Sequence, residues 1–145
     1  QYKAGFGPFP PGFRLVEYGS IEALEAAIND NTAAFLVEPI QGEGGIIVPP
    51  EGYLKAAAEL CRKHNVLFIA DEIQTGLGRT GKLLACEHEG VRPDGLILGK
   101  ALGGASGGCV SGRKELIELC RQKARPYLFS NSIAPPIVAA SPERA

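Results

Sequence analysis

Three short apolar runs without polar interruption predict buried strands. They cover residues 33–37 (AAFLV), 66–70 (VLFIA) and 95–99 (GLILG). Continuous runs of this length are typical of strands that are covered on both faces, as in a parallel sheet. Residues 15–18 are expected to add a further short strand. The pattern therefore predicts a mainly parallel sheet.

Amphipathic segments between and after these runs predict helices over residues 21–28, 53–64 and 113–124. Their apolar residues recur at the spacing of one helix face. Ser20 can cap the first helix, and the proline pair at 49–50 suits the start of the second. Because strands and helices alternate along the chain, the expected fold class is α/β, with helices on both faces of the sheet.

Composition restricts the possible partners. The chain has 145 residues, of which 45% are hydrophobic and 21% charged, and its net charge is −1. One domain over residues 1–145 is expected, with no electrostatic basis for binding nucleic acid or an anionic membrane. No apolar run approaches the about 20 residues that span a bilayer, so a cytoplasmic location is expected. The absence of Met and the Gly/Pro-rich opening indicate a fragment.

The four cysteines are widely spaced, form no C-x-x-C pair, and have only two histidines to accompany them. This spacing favours neither a zinc site nor a disulfide framework. The expected state is therefore four buried, reduced thiols, at Cys61, Cys86, Cys109 and Cys120.

Charged residues follow each of the three predicted strands. Glu38, Asp71 and Lys100 stand directly after the apolar runs. The carboxyl ends of parallel strands meet at one edge of a sheet, where ligands bind, so these side chains are expected to converge. A charge beside a buried strand is costly to desolvate unless it is paired or functional. The sequence thus predicts a ligand site at this edge.

The residue types suit the chemistry of pyridoxal-5′-phosphate (PLP). An amine at Lys100 could form an imine with the cofactor's aldehyde. The carboxylate of Asp71 could keep the pyridine nitrogen protonated, and Gln74 could hydrogen-bond the phenolic oxygen. Taken singly, Asp71 is as well explained as a loop cap and Lys100 as a solvated strand end. The hypothesis depends on their occurring together.

Two glycine-rich segments offer alternatives. Residues 76–81 (GLGRTG) match a dinucleotide-binding pattern, but that pattern should open a helix directly after a strand and be followed by an acid at the next strand end. Lys100 stands there instead, so we interpret the segment as a loop at the mouth of the site. Residues 103–108 (GGASGG) could offer N–H groups to a phosphate, but glycine loops of this kind are usually turns.

The segments FGPFPPGF, AAFLVEPIQGEGG, VLFIADEIQTGLGRTGK and ILGKALGG resemble the class III aminotransferases, and among these the ornithine aminotransferases. The resemblance covers about residues 2–104 and implies the large domain of a PLP enzyme of fold type I. It implies that Lys100 binds the PLP aldehyde, that Asp71 pairs with the ring nitrogen and that Gln74 contacts the phenolic oxygen. Glu43 resembles the gating glutamate that ion-pairs with an active-site arginine. The implied substrates are ornithine and a 2-oxo acid.

After Lys100, the segments GKALGGASGG and RQKARPYLFSNSIAPPIVAAS resemble a different family, the α-oxoamine synthases, and specifically the glycine C-acetyltransferases. This places a junction near residue 104 and gives residues 105–145 a separate origin. By this resemblance Ser130 and Ser132 contribute to the phosphate site of the neighbouring subunit, and the complete enzyme is expected to be a homodimer or a larger oligomer. A glycine C-acetyltransferase and an inactive fragment with residual PLP binding are the two alternatives to an aminotransferase.

Overall fold

The structure is a computed structural model that describes residues 5, 7–100 and 108–124. Within these residues lie three α-helices, one 3-10 helix and four strands. In chain order these are α1 (Ile21–Ala27), β1 (Ala34–Val37), α2 (Tyr53–Lys63), β2 (Leu67–Asp71), the 3-10 helix Ala85–Glu89, β3 (Gly95–Leu98), β4 (Cys109–Gly112) and α3 (Lys114–Lys123). No helix among these described residues is long and apolar enough to cross a bilayer.

The strands form one sheet in the order β1-β2-β3-β4. The first three strands are parallel, and β4 pairs antiparallel with β3. Strand β4 was not predicted, because CVSG contains no continuous apolar run. The pairing of Leu98 with Cys109 holds β4 along the exposed edge of β3.

Local sequence features set the ends of the first two helices. The Ser20 hydroxyl accepts a hydrogen bond from the Ala23 N–H at 3.1 Å and so caps α1, as predicted. Gly52 precedes α2 with a φ of 80°, and basic residues 62–63 lie in its last turn, where the helix dipole favours cations. Asn65 follows with a φ of 54° and turns the chain into β2.

The predicted strand over residues 15–18 is wrong, because this segment forms no sheet ladder. Instead, the Tyr18 hydroxyl donates to the backbone carbonyls of Glu38 and Pro39, each at 3.0 Å. Its ring packs edge-on against Tyr53, with centroids 5.7 Å apart. Tyr18 therefore ties this segment to the chain just after β1. The pKa of Tyr18 rises to about 12, chiefly because of burial.

One face of the sheet carries the main core. Phe35 and Phe68 lie side by side on neighbouring strands, with ring centroids 6.1 Å apart. Ala70 and Leu96 share this face, because in-register parallel partners point the same way. Helix α2 covers these residues and buries six of its own side chains: Tyr53, Leu54, Ala57, Ala58, Leu60 and Cys61.

The opposite face is covered in part by α3. Gly95 pairs with Ile69, and a Cβ at Gly95 would lie 2.8 Å from Leu116 Cδ2 and 3.3 Å from Ile69 Cγ1. Ile69 alternates with Phe68 and Ala70, so Leu116 lies on the face away from α2. The predicted α/β fold, with a mainly parallel sheet and helices on both faces, is confirmed.

The prediction of four buried thiols holds for only two of them. Cys61 and Cys86 are fully buried, whereas Cys109 is exposed and Cys120 is partly exposed. Cys109 lies on β4, all of whose residues are exposed. Burial raises the pKa of Cys61 to about 11.

Candidate active site

The carboxyl ends of β2 and β3 bring together the residues predicted to carry chemistry. Asp71, the last residue of β2, pairs with Ile97 of β3. Gln74 and Lys100 follow these paired positions at equal distances along the chain, so they leave the sheet side by side. Lys100 has a φ of 30°, a conformation that non-glycine residues seldom adopt and that is often found at functional sites.

Glu43 connects Gln74 to Lys100. Its Oε1 accepts a hydrogen bond from Gln74 Nε2 at 3.1 Å and lies 3.5 Å from Lys100 Nζ. The ion pair is open to solvent, since the side chains of Lys100 and Glu43 are 53% and 82% exposed. A pair of this kind contributes little to stability, so its importance is positional.

Asp71 is half-buried at the end of its strand. Its Oδ1 accepts the Ile73 N–H at 3.1 Å, the contact expected of a loop cap. No hydrogen bond to its Oδ2 is found within the described part of the chain. Asp71 therefore caps the loop with one carboxylate oxygen and keeps the other available for a ligand.

Glu38 does not join this group. Its Oε2 accepts the Gly42 N–H at 3.2 Å, and no hydrogen bond or ion pair links it to Asp71 or Lys100 in residues 7–100. Glu38 does follow β1, the strand beside β2, but its carboxylate binds the Gly42 amide, and its convergence with the other two side chains stays a prediction. Glu38 instead shapes the loop that carries Glu43, which the paired residues Gln41 and Ile47 close.

Gly42 is a site residue that the sequence analysis missed. A Cβ at this position would lie 2.6 Å from Gln74 Nε2 and 2.8 Å from Gln74 Cδ. Only glycine leaves room for the Gln74 amide to lie against the loop and reach Glu43. The signal available in the sequence was a glycine directly before Glu43, but nothing local identifies its partner 32 positions away.

A shallow groove of about 340 Å³ lies beside Lys100, between the ends of β3 and β4. Its walls are mostly apolar and include Ile73, Ile97 and Val110, and Cys109 also lines it. A groove with apolar walls and one amine at its rim suits a flat, aromatic ligand that carries an electrophile.

The glycine-rich segment 76–81 forms consecutive turns and opens no α-helix. Leu77 and Gly78 both have positive φ, of 59° and 90°. The helix that begins next is the 3-10 helix Ala85–Glu89. This geometry lacks the strand-to-helix turn of a dinucleotide site and agrees with the interpretation as a loop.

Glu72 is a second residue that the sequence analysis passed over. It directly follows Asp71, is 1% exposed, and has three hydrogen-bond donors around its carboxylate. Burial, and then the adjacent Glu72 carboxylate, raises the pKa of Cys86 to about 12. The sequence signal was a charged residue between Asp71 and apolar Ile73, at a position that strand alternation turns toward the core.

Two predicted phosphate ligands, Ser130 and Ser132, lie outside the described residues, as do residues 103–107 of the second glycine-rich segment. Their placement stays a prediction. The four predicted site residues that the structure does describe are Glu43, Asp71, Gln74 and Lys100.

Among known proteins, the chain is similar in sequence to bacterial ornithine aminotransferases. The chain is 62% identical over 121 residues to an ornithine aminotransferase of Exiguobacterium, a match that covers 82% of this chain and 30% of that protein. It is 60% identical over 119 residues to the ornithine aminotransferase of Bacillus subtilis, with 81% and 30% covered. The chain therefore spans under a third of the length of these relatives.

Solved structures of aminotransferases are also similar to this chain. An ornithine aminotransferase of Toxoplasma gondii, described with partial occupancy of PLP at its active site, superposes with a TM-score of 0.78 and 55% identity, covering 83% of this chain and 29% of that one. An acetylornithine aminotransferase of Elizabethkingia anophelis gives a TM-score of 0.72 and 57% identity, with 77% and 29% covered. The model of the family described as aminotransferase class III matches residues 1–140, and the chain belongs to that family.

Proposed function

We propose that this chain carries the PLP-binding residues of an ornithine aminotransferase. The observation that carries the proposal is the contact of one Glu43 oxygen with both Gln74 and Lys100, beside the strand end that bears Asp71. The similarity to ornithine aminotransferases supports the same assignment. Because the chain spans 30% of these relatives, amino transfer itself is proposed for the whole protein.

The residues present fit PLP. The groove beside Lys100 offers apolar walls for a pyridine ring, and the Lys100 amine lies at its rim to meet an aldehyde. The uncapped oxygen of Asp71 would pair with the ring nitrogen, and the Gln74 amide would donate to the phenolic oxygen. When bound, PLP supplies a ring that accepts the electron pair released at a substrate carbon.

Each side chain then has a separate task. Lys100, once its amine is free, would take a proton from the α- or δ-carbon of the substrate and return it. Asp71 would hold the ring-nitrogen proton in place. Glu43 sits near Lys100 and carries a charge that can attract the ammonium group of a substrate or an arginine supplied from elsewhere in the protein.

The finer assignments also belong to this proposal. Ornithine and a 2-oxo acid are the proposed substrates, and a homodimer or larger oligomer in the cytoplasm is the proposed assembly and location. We propose one domain over residues 1–145, with Ser130 and Ser132 at the phosphate of the neighbouring subunit. These statements rest on the sequence resemblance and on the expectations from composition.

A glycine C-acetyltransferase is the second candidate, because residues 105–145 resemble the α-oxoamine synthases. Both enzymes would use Lys100 in the same way, so the PLP site does not separate them. Glutamate formed from ornithine and 2-oxoglutarate would support the first candidate, and CoA released from acetyl-CoA with glycine would support the second. If neither product forms, the result would favour an inactive fragment.

Reductive capture of PLP tests the site directly. The purified chain is mixed with PLP, reduced with borohydride and analysed by peptide mass spectrometry. The expected result is one pyridoxyl adduct, at Lys100, which Lys100→Ala abolishes. Lys63→Ala is the matched control, since Lys63 is also exposed and ion-paired but lies at the end of α2. Labelling spread over several lysines, or equal labelling in Lys100→Ala, would refute the proposed site.

A further inference from the structure

A buried carboxylate outside the proposed chemistry lies directly beside Asp71. Glu72 is 1% exposed, and its Oε2 accepts the Thr75 hydroxyl and the Ala85 N–H, the latter at 3.0 Å. Its Oε1 accepts the Cys86 N–H at 2.9 Å. A buried carboxylate is stable only when its oxygens are paired, and all of these partners are donors.

These contacts tie three parts of the molecule to one residue. Ala85 and Cys86 provide the first amides of the 3-10 helix, which have no partner within that helix. The Glu72 backbone continues the sheet, because its N–H donates to the Ile97 carbonyl at 2.9 Å. Its own carbonyl accepts the Gly76 N–H, also at 2.9 Å, where the glycine-rich loop begins. Glu72 therefore fixes the chain where strand, loop and 3-10 helix meet.

Asp71 and Glu72 are neighbours at the end of an extended strand, so their side chains point to opposite sides of the sheet. Asp71 shares the side of Ile69, and Glu72 points into the core side with Ala70. A rotation of the backbone at Glu72 would therefore turn the Asp71 carboxylate as well. The Gly76 backbone lies close to Glu72, since a Cβ on Gly76 would lie 2.9 Å from the Glu72 carbonyl oxygen.

We propose that Glu72 is a positioning residue that holds the Asp71 carboxylate in its ligand-facing orientation. This inference rests on the proposed function for its use in PLP binding, but the positioning itself is a property of the chain alone. The orientation of the Asp71 carboxylate can be followed through the Ile73 N–H, because that amide donates to Asp71 Oδ1.

Glu72→Gln is the informative variant. A glutamine has the same shape but places an NH2 group where the carboxylate accepts N–H and O–H donors, so at least one donor is left facing another. Glu87→Gln is the matched control, because Glu87 is exposed and also caps the 3-10 helix, through the Leu84 N–H, without touching β2. Both are made in the full 145-residue chain.

Hydrogen exchange measured by NMR is the first readout. In Glu72→Gln we expect the Ala85, Cys86 and Ile73 amides to exchange about tenfold faster, which corresponds to one lost buried hydrogen bond. PLP affinity, from the adduct yield at limiting PLP, should fall by about the same factor because Asp71 is no longer aligned. Glu87→Gln should change neither the Ile73 amide nor PLP affinity.

The possible failures are distinguishable. Faster exchange at Ala85 and Cys86 with an unchanged Ile73 amide would show that Glu72 only anchors the 3-10 helix, and would overturn the inference. If the unmodified chain captures no PLP, the proposed function fails, while the Ile73 exchange still decides the positioning role. If Glu72→Gln does not fold, Thr75→Val is used instead, because it removes only one donor from Glu72. The Ile73 amide should then also exchange faster, by a smaller factor, and an unchanged rate would overturn the inference.

Discussion

At the scale of single residues, Gly42 leaves the space that the Gln74 side chain occupies in the proposed site. Glycine at position 42 lets the Gln74 amide pack against the loop and donate to Glu43. This contact positions a polar group without burying much surface. A change of this contact should therefore affect PLP binding more than the free energy of unfolding.

Gly42→Ala is predicted to weaken the PLP site while leaving the fold intact. The new Cβ would meet the flexible end of Gln74 at 2.6 Å, and the amide can rotate away and lose its hydrogen bond to Glu43. Adduct formation at Lys100 at limiting PLP should fall about threefold to tenfold, the range for one hydrogen bond. The free energy of unfolding in urea should change by under about 1 kcal/mol.

Gly44→Ala is the control, because the nearest atom to its Cβ would be Gln41 Oε1 at 3.5 Å, an ordinary contact. Equal adduct yields in the two variants would contradict a role for Gly42 in placing Gln74.

At the scale of elements, α1 is a short helix whose start is marked by a local signal, the Ser20 cap. It has only 7 residues and buries only Leu24 fully, so packing alone stabilises it weakly. The Ser20 hydroxyl satisfies one of its free N–H groups. Helix α1 packs on α2, which in turn covers the core face of β2.

Ser20→Ala is predicted to lower the free energy of unfolding by about 1 kcal/mol, the usual effect of removing an N-cap. Urea denaturation followed by circular dichroism measures it. Ser111→Ala changes an exposed serine of β4 and should lie within about 0.5 kcal/mol of the unmodified chain. A Ser20→Ala variant as stable as Ser111→Ala would show that the cap contributes nothing.

At the scale of the whole molecule, the two buried thiols should make the free energy of unfolding fall at alkaline pH. The ordinary pKa of 9.0 rises to about 11 for Cys61 and about 12 for Cys86, because burial disfavours the thiolate. In the unfolded chain both thiols lose their protons near pH 9, whereas in the folded chain they keep them. Their contribution to stability is therefore complete below pH 9 and is lost as the pH rises toward the folded values.

The free energy of unfolding should fall by about 1 kcal/mol for each thiol between pH 8 and pH 10, as measured in urea. Cys86→Ser does not titrate in this range, so its decline should be smaller by about 1 kcal/mol. Cys109→Ser, at an exposed thiol, should decline as the unmodified chain does. Parallel curves for all three proteins would refute the assignment.

The sequence predicted the regular elements that have a strong local signal. The apolar runs at 33–37, 66–70 and 95–99 correspond to three parallel strands, since buried parallel strands need continuous apolar side chains. Helical spacing and the Ser20 cap located α1 and α2. The short polar strand β4 and the irregular segment at 15–18 were mispredicted, because their conformation depends on a partner strand and on Tyr18 contacts that lie far away in the chain.

By itself, the sequence determined the alternation of strands and helices and the placement of Asp71 and Lys100 at the ends of two strands, because periodicity and strand ends are local properties. Only the tertiary structure decided which side chains meet. Glu38 binds a nearby amide, Gly42 packs on Gln74, and Glu72 joins a strand to the 3-10 helix. Each of these contacts is set by the path of a loop between elements, and a loop's path follows from the packing around it.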